Sequence, residues 1–334
     1  MGFTTPSNNF IWELAKQTNE STIATTAQFG MPVYSGRSMP VQTFSRVDVT
    51  DASSIVGDSY KQGDIHWEAD VVVPAFGAAL PKLLVGLWPT DTVSGAGPFV
   101  HTFSGLGATP PWFTTFNTDL LSGAVEETFE AGVLSEFSLS GDQEGGPAKV
   151  GVKYTGKRPT IASYTNATAQ TISTDGYFTF TGGSMKYEVD NATPVVETNI
   201  QSFSLLVSRP VTHQATVDST SVNFLALGRV ECSFTMTLLM DDHEAYRATF
   251  YGAVGGSTPS NTKVLGSVEI NLVHSITGTH TAKFNLDRAI LIAEPPQPDP
   301  AASPLVVTIN GMIDKPAAGD HVKPVITNAV SAVS

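Results

Sequence analysis

Two stretches of this sequence are nearly the same: VQTFSRVDV at residues 41–49 and IQSFSLLVS at residues 200–208. Both alternate apolar and polar side chains over much of their length, the period-two pattern of a half-buried β-strand. Phe44 corresponds to Phe203, at an offset close to half of the 334-residue chain. We therefore expect one type of strand to occur twice, once in each half.

The elements after each stretch follow in the same order. A polar segment comes first, then a strand, then a short helix; in the first half these are residues 51–64, 64–73 and 74–88, and in the second half 209–228, 229–240 and 241–252. Four such matches at nearly one offset indicate an internal duplication, although strand–helix alternation in any β-rich protein remains the alternative. The predicted domains are an N-terminal arm (1–40), a first β unit (41–160), a linker (161–176), a second β unit (177–318) and a C-terminal tail (319–334).

The alternation also predicts which side chains pack in the core of each unit. Trp67 shares a strand face with apolar neighbours in the first unit, and Cys232 and Phe234 do so in the second. Phe44 and Phe203 are expected in the core because they match. Two aromatic residues four positions apart, Tyr246 and Phe250, would share the core-facing side of the second helix.

The ends of the second helix can be read from its capping residues. Asp241 is a typical N-cap residue, Glu244 completes a capping box three residues later, and Gly252 suits the position after the last turn. The first helix is expected to be interrupted by Pro81, because proline lacks the N–H that a helix interior needs.

Composition favours a mainly β protein. Hydrophobic residues make up 41% and charged residues 15%, and there are 29 glycines and 21 prolines. Such a chain is globular and consists of many short strands joined by turns. The net charge of −13 argues against a general nucleic-acid binder, because phosphate binding needs a basic patch.

No motif in the sequence indicates an enzyme. The single cysteine excludes an intrachain disulfide and a multi-cysteine metal site, and the seven histidines form no ligand pair of known spacing. Nucleophile elbows and phosphate-binding glycine loops are missing as well. We therefore expect no catalytic, cofactor-binding or metal-binding residues. The N-terminus lacks the pattern of a signal peptide, and no apolar run has the length of a membrane span.

Four stretches together resemble the tail tube (major tail) proteins of long-tailed, siphovirus-like bacteriophages. They are VYSGRSMPVQTF (33–44), PFVHTFSGLGATPPWFTTFN (98–117), FEAGVLSEFSLSGDQEGGPAKVGVKYTGKRP (129–159) and GGSMKYEVDNATPVVETNIQSFSLLVSRPVT (182–212). The order and pattern of these elements carry the resemblance, which extends over most of residues 20–318.

The resemblance implies a structural role in the virion. Proteins of this family have a β-sandwich or β-barrel fold with a helix on its flank, and they form rings that stack into a hollow tube. A duplicated chain would form a homotrimeric, pseudo-hexameric ring. The expected partners are other copies of the chain and the tail tip, tape measure and terminator proteins. Genomic DNA would pass through an acidic lumen without specific binding, and assembly would take place in the bacterial cytoplasm.

Three other readings remain open at this stage. One is a capsid decoration or virion-surface protein, which would need only one unit and no ring. The second is a secretion-system tube protein of the same fold, which would usually carry one unit per chain. The third is a carbohydrate-binding β-sandwich or a β-rich hydrolase, which would expose aromatic side chains on one strand face or place a carboxylate pair in a cleft.

Overall fold

A computed structural model describes the following parts of the chain: residues 10–24, 27–48, 58–119, 124–160, 176–189, 195–197, 199–215, 222–239, 244–252, 257–258, 264–294, 306–314 and 319–331. Below, the first half means residues 10–160 and the second half residues 176–331. The mainly β fold is confirmed, with two short helices, α1 (Leu80–Leu84) and α2 (Glu244–Tyr251). Neither helix, nor any other among these residues, has the length and apolarity to cross a bilayer.

Strands dominate both halves. Those of the first half are β1 (Phe10–Lys16), β2 (Phe29–Pro32), β3 (Ser38–Asp48), β4 (Asp58–Pro74), β5 (Thr90–Ser94), β6 (Phe99–Ser104), β7 (Phe113–Asp119), β8 (Ala124–Asp142) and β9 (Lys149–Thr160). Those of the second half are β10 (Phe178–Val189), β11 (Val195–Glu197), β12 (Ile200–Ser208), β13 (Val211–Ala215), β14 (Val222–Leu227), β15 (Glu231–Leu239), β16 (Leu265–His274), β17 (Thr281–Ala293), β18 (Val306–Ile313) and β19 (Val322–Asn328).

The two halves pair their strands in the same order. The first runs β2–β1–β7–β8–β9–β4–β3, and the second runs β11–β10–β16–β17–β18–β15–β12. All of these pairings are antiparallel. The helices occupy equivalent places too: α1 follows β4 and α2 follows β15, and these two strands have the same position in the two orders. The hairpin β13–β14 stands apart as a two-stranded sheet.

One aromatic–glycine contact marks equivalent positions in the two halves. Trp67 pairs with Gly156, and Phe234 pairs with Gly311. A Cβ on Gly156 would lie 2.1 Å from Trp67 Nε1, and one on Gly311 would lie 1.9 Å from Phe234 Cε1. Each large ring therefore lies directly over the backbone of the neighbouring strand, where only glycine leaves room.

These anchors correct the register of the repeated stretch from which the sequence analysis began. Trp67 pairs with Pro40 on its other side and Phe234 with Leu205, so Phe203 is equivalent to Ser38 and not to Phe44. Phe203 is 3% exposed and Phe44 is 62% exposed. Phe44 lies beyond an irregularity in the β3–β4 register, on a part of the hairpin that extends past the core. The expectation that Phe44 is a core residue is wrong.

The ends of the described chain differ from the expected arm and tail. Within residues 1–40, β1 pairs with β2 and β7 and buries Trp12 and Leu14. Within residues 319–334, β19 pairs with β17 and β6 and buries Val322 and Ile326. Apolar side chains at alternate positions give both segments a buried face, so they belong to the sheet.

The structure also bears on the predictions for Pro81, for the two polar segments and for the linker. Pro81 lies in the first turn of α1, where its missing N–H costs nothing, so it does not interrupt the helix. The polar segments 51–64 and 209–228 both contribute to hairpins, β3–β4 and β13–β14. Of the linker predicted at 161–176, only residue 176 lies within the described residues.

Candidate assembly surface

Eight strands form a continuous row through both halves: β3–β4–β9–β8–β12–β15–β18–β17. One face of this row packs into the shared hydrophobic core through residues such as Trp67, Val152, Leu205, Phe234 and Ile309. Strand side chains alternate between the two faces, so the intervening residues lie on the opposite face. We call that opposite face the polar face.

The polar face is rich in hydroxyl groups and carries more carboxylates than ammonium groups. Its small polar residues include Ser138, Ser140, Ser202, Ser204, Ser208, Ser233, Thr235, Thr237 and Thr308. Its charged side chains, among the described positions of these strands and the residues that directly follow them, are Asp64, Glu68, Asp70, Glu136, Asp142, Glu231, Asp287, Glu294 and Asp314 against Lys149, Lys153, Lys157, Lys283 and Arg288. Lys153 lies 2.9 Å from Glu136 and 3.9 Å from Asp70, so one of these cations is already engaged.

The row crosses from one half to the other at the pairing of β8 with β12. Strand β8 has 19 residues, enough to pair with β7 near its start and with β12 from Glu136 to Asp142. Beyond the last pair, the backbone N–H of Arg209 donates to Ser135 O at 2.7 Å. The Arg209 guanidinium donates to the carbonyl oxygens of Gly107 and Ala108 in the first half. The two halves are thus joined by a continuous hydrogen-bonded seam.

Directly after this seam, the β13–β14 hairpin packs onto the first half. We call residues 211–227 the second hairpin. Its His213 ring stacks on the His66 ring of β4, with centroids 3.8 Å apart, and His213 Nε2 lies 2.7 Å from the Thr155 hydroxyl of β9. His66 is 5% exposed as a result.

Lys157, at the same end of β9, lies beneath this hairpin. Its ammonium group forms an ion pair with Glu20 and lies 5.7 Å from the centre of the Phe224 ring and 5.5 Å from that of Trp112. Aromatic faces attract cations, and the lysine stem adds apolar contact. Lys157 is 8% exposed, so the second hairpin covers this end of the polar face.

The surroundings of His213 at this covered end favour its neutral form. Burial, together with the nearby His66, lowers the pKa of His213, although Glu68 and Asp64 act against this. A hydrogen bond from Thr43 lowers the pKa of Asp64, assisted by His66. Asp64, His66 and His213 have possible metal-ligand atoms within 4.8 Å of one another and are the described residues that could hold a cation.

Comparison with protein families identifies the chain. The family model described as phage tail tube protein matches residues 15–312, which is most of the sequence. The chain belongs to the phage tail tube family. No match among curated proteins was found. As a tail tube protein it is a structural component of the virion tail, and the family is one of structural proteins rather than enzymes.

The structure buries four of the side chains that were singled out from the sequence: Trp67, Phe203, Cys232 and Phe234. Phe250 was expected in the core but is 41% exposed, because α2 turns its Ala248 and Thr249 inward. The side chain of Tyr246 and the N-cap Asp241 lie outside what the structure describes. Glu244 is the first residue of α2, and Gly252 follows the helix with a φ of +78°, the left-handed conformation that glycine favours.

Sequence reasoning missed the residues that join the halves. The spacing of the seven histidines did not single out His66 and His213, and residues 209–228, which contain the second hairpin, were interpreted only as a polar segment. No local pattern indicates this contact, because it joins residues far apart in the chain. Within the hairpin, the short, mostly apolar run VNFLAL (222–227), followed by Gly228, is the signal that could have indicated a strand.

Proposed function

We propose that three copies of this tail tube protein form a ring with six similar units, and that these rings stack into the conduit for phage DNA. Each chain would supply two β units, residues 41–160 and 177–318, extended by the strands at both ends. The observation that carries the proposal is the identical strand order of the two halves. A chain with two equivalent units can occupy two equivalent places in a symmetric assembly.

The seam between β8 and β12 supports the same arrangement. It joins two units edge to edge through main-chain hydrogen bonds within one chain. Among the described strands, β3 pairs with β4 alone, so it ends the row and leaves an edge. Exposed edges favour pairing with other chains, and a closed ring removes them.

The polar face supports the role as a conduit. We propose that it lines the lumen, where carboxylates would repel DNA phosphates and serine and threonine hydroxyls would present no fixed positive charge. Like-charge repulsion over a surface keeps a polyanion from adhering, whereas phosphate binding depends on clustered lysine and arginine. DNA would therefore slide through the tube without specific binding.

The proposed tube also predicts which other virion proteins this chain would contact. Tail tip, tape measure and terminator proteins would contact the two ends of the tube and its interior, and assembly would take place in the bacterial host cytoplasm. A capsid decoration protein is the competing structural role, and it would need neither the edge at β3 nor a ring.

Electron microscopy of the purified protein tests the proposal. Particle class averages should contain rings with threefold symmetry, six lobes and a central pore, or striated tubes. Rings with true sixfold symmetry would mean that both halves together form one unit, and would overturn the trimer. Monomers that persist at high concentration with tail-tip components present would overturn the tube assembly itself.

A further inference from the structure

Three side chains at the contact between β4 and the second hairpin bring possible metal ligands together. Asp64 and His66 lie two residues apart on β4 and therefore face the same side of the sheet, and His213 reaches them from β13. Possible ligand atoms of the three lie within 4.8 Å of one another. One carboxylate and two imidazoles form a donor set that suits Zn²⁺ and similar transition-metal ions.

The hydrogen bonding of His66 leaves one ring nitrogen available to a metal ion. The His66 side chain is 6% exposed, and its Nε2 lies 3.4 Å from Oε1 of Glu68, a carboxylate oxygen that accepts a proton but has none to donate. Nε2 therefore carries the proton, and the lone pair of the neutral ring lies on Nδ1. This Nδ1 is buried and has no hydrogen-bond partner among the described residues. Buried polar atoms are nearly always partnered, so an unpartnered one indicates a ligand.

The hydrogen bonding of His213 gives the same assignment. Its Nε2 lies 2.7 Å from Oγ1 of Thr155. The Thr155 hydroxyl has a single proton, which it donates to the carbonyl oxygen of Trp67 at 3.4 Å. Oγ1 therefore accepts from Nε2–H, and the lone pair of His213 lies on Nδ1. Metal-ligating histidines typically donate their other ring N–H to an outer partner in this way.

The spacing between Asp64 and His66 already fits a tetrahedral ion. Asp64 accepts a hydrogen bond from Thr43 through Oδ1, and its Oδ2 lies 3.2 Å from His66 Nδ1. Two ligand atoms at about 2.0–2.1 Å from a tetrahedral zinc ion are roughly 3.3 Å apart. The His213 ring stacks on His66 with centroids 3.8 Å apart, so it has to rotate for its Nδ1 to complete the set.

Charge and access also suit a divalent cation. Asp64 and Glu68 together supply two negative charges, and Lys157, beneath the same hairpin, is ion-paired with Glu20. An open groove of about 620 Å³, lined by His213 and Glu68 among others, leads to the ligands. Water in this groove could supply the fourth ligand that a tetrahedral ion needs.

We propose that Asp64, His66 and His213 bind a divalent transition-metal ion such as Zn²⁺, which fastens the second hairpin to β4. The ligands come from both halves of the chain, so the ion would tie the halves together beside the β8–β12 seam. An ion that binds the folded chain stabilises it, because the unfolded chain does not hold the ligands together. The site lies within one chain and does not depend on the proposed ring.

Titration of the full chain with zinc chloride tests the site. Protein freed of metal with EDTA and returned to buffer without chelator should bind one equivalent of Zn²⁺ in isothermal titration calorimetry. Its Tm should rise as zinc is added. Co²⁺ in place of Zn²⁺ should give the visible absorption bands of a tetrahedral site. Failure to bind one equivalent would overturn the proposal.

Asp64→Asn distinguishes this site from chance binding at other surface groups. The Asp64 side chain is 27% exposed, so the variant should fold, and it should bind Zn²⁺ at least about tenfold more weakly. Asp70→Asn is the matched control, since Asp70 lies on the same face of β4 and its side chain is 68% exposed. This control should bind zinc as the natural chain does. Equal affinities of the two variants would overturn the assignment of Asp64 as a ligand.

His213→Gln tests whether the ion joins the halves. The variant should lose the rise of Tm with zinc, whereas His280→Gln, a substitution in the turn between β16 and β17, should retain it. A rise that persists in His213→Gln, or zinc binding without any rise in the natural chain, would overturn the fastening role.

Glu68→Ala tests the outer hydrogen bond to His66. Glu68 is a positioning residue here, so its loss should leave the stoichiometry at one and lower the zinc affinity by about 10–100-fold. The Glu68 side chain is 57% exposed, and its removal should leave the fold intact. An unchanged affinity would overturn the assignment of Nδ1 as the ligand atom of His66.

Discussion

The imidazole rings of His66 and His213 lie face to face, with centroids 3.8 Å apart and an angle of 26° between their planes. His66 belongs to β4 of the first half and His213 to the second hairpin. The Thr155 hydroxyl lies 2.7 Å from Nε2 of His213 and holds the ring in this position. Because burial in this contact lowers the pKa of His213, the contact predicts that docking of the hairpin depends on pH.

We expect the stability of the folded chain to fall as the pH decreases below about 6.5, the usual pKa of histidine. Burial lowers the pKa of His213 in the folded state, so the unfolded chain takes up a proton first. The stabilisation is present above the unfolded pKa and is lost as the pH falls through the folded one. Thermal unfolding followed between pH 5 and pH 8 measures this effect, in a range where Asp64, whose pKa is lowered by the Thr43 hydrogen bond, stays ionised.

His213→Gln supplies the control for this pH dependence. Glutamine has hydrogen-bonding groups for Thr155 but does not titrate, so the slope of Tm against pH should flatten in this range. An unchanged slope in the variant would assign the pH dependence to other groups.

The two aromatic–glycine anchors predict the effect of adding one methyl group. Gly156→Ala and Gly311→Ala should each destabilise the fold by at least about 1–3 kcal/mol, because the new Cβ collides with Trp67 or Phe234. Gly146→Ala is the control, since its Cβ would meet nothing within 4 Å. Urea unfolding measures all three; variants at Gly156 and Gly311 that are as stable as Gly146→Ala would contradict the close contacts with Trp67 and Phe234.

Phe234 and Phe44 should respond differently to truncation. Phe234 is 2% exposed, so Phe234→Ala should cost about 3–5 kcal/mol through lost burial and a cavity. Phe44 is 62% exposed, so Phe44→Ala should change the stability of the monomer by less than about 0.5 kcal/mol. Chemical denaturation at low protein concentration, where rings do not form, compares the two. A large loss for Phe44→Ala would place this residue in the core after all.

Asn328 should be a third sensitive position. Its side-chain amide is fully buried, donates to Gly77 O at 2.9 Å and accepts from Val330 N at 2.9 Å. Asn328→Ala leaves a buried carbonyl and a backbone N–H without these partners, a loss of about 1–3 kcal/mol. Ser331→Ala, at an exposed position nearby, should be neutral in the same thermal melts. Equal effects of the two substitutions would refute this assignment.

The fold class and most core positions could be predicted from the sequence because alternation is a local signal. Trp67, Cys232 and Phe234 lie on strand faces that read as apolar at every second residue. Phe44 was expected in the core only because it matches Phe203; the residues two positions away, Gln42 and Arg46, are polar, and its segment extends beyond the core. Periodicity reports which face of a strand a side chain occupies but not how far along the strand the core extends.

The assembly surface could not be predicted in the same way. The contacts of His213 with His66 and of Arg209 with Gly107 depend on how the two halves pack against each other. The local sequence carries no information about this packing. The repeated stretch did indicate a second unit. The sequence match aligns Phe203 with Phe44, however, whereas the structure makes Phe203 equivalent to Ser38, six residues earlier. An even shift keeps side chains on the same face, so both alignments satisfied the pattern equally well.

The pairing of β19 with β6 has a consequence for synthesis. Residues 325–328 complete a sheet begun by residues 99–102, and the carbonyl of Val322 accepts a hydrogen bond from the buried indole of Trp88. The first half is therefore left with an open flank on the ribosome until residue 328 has emerged. Under the proposed function, a nascent chain would therefore become competent for assembly only after residue 328 has left the ribosome.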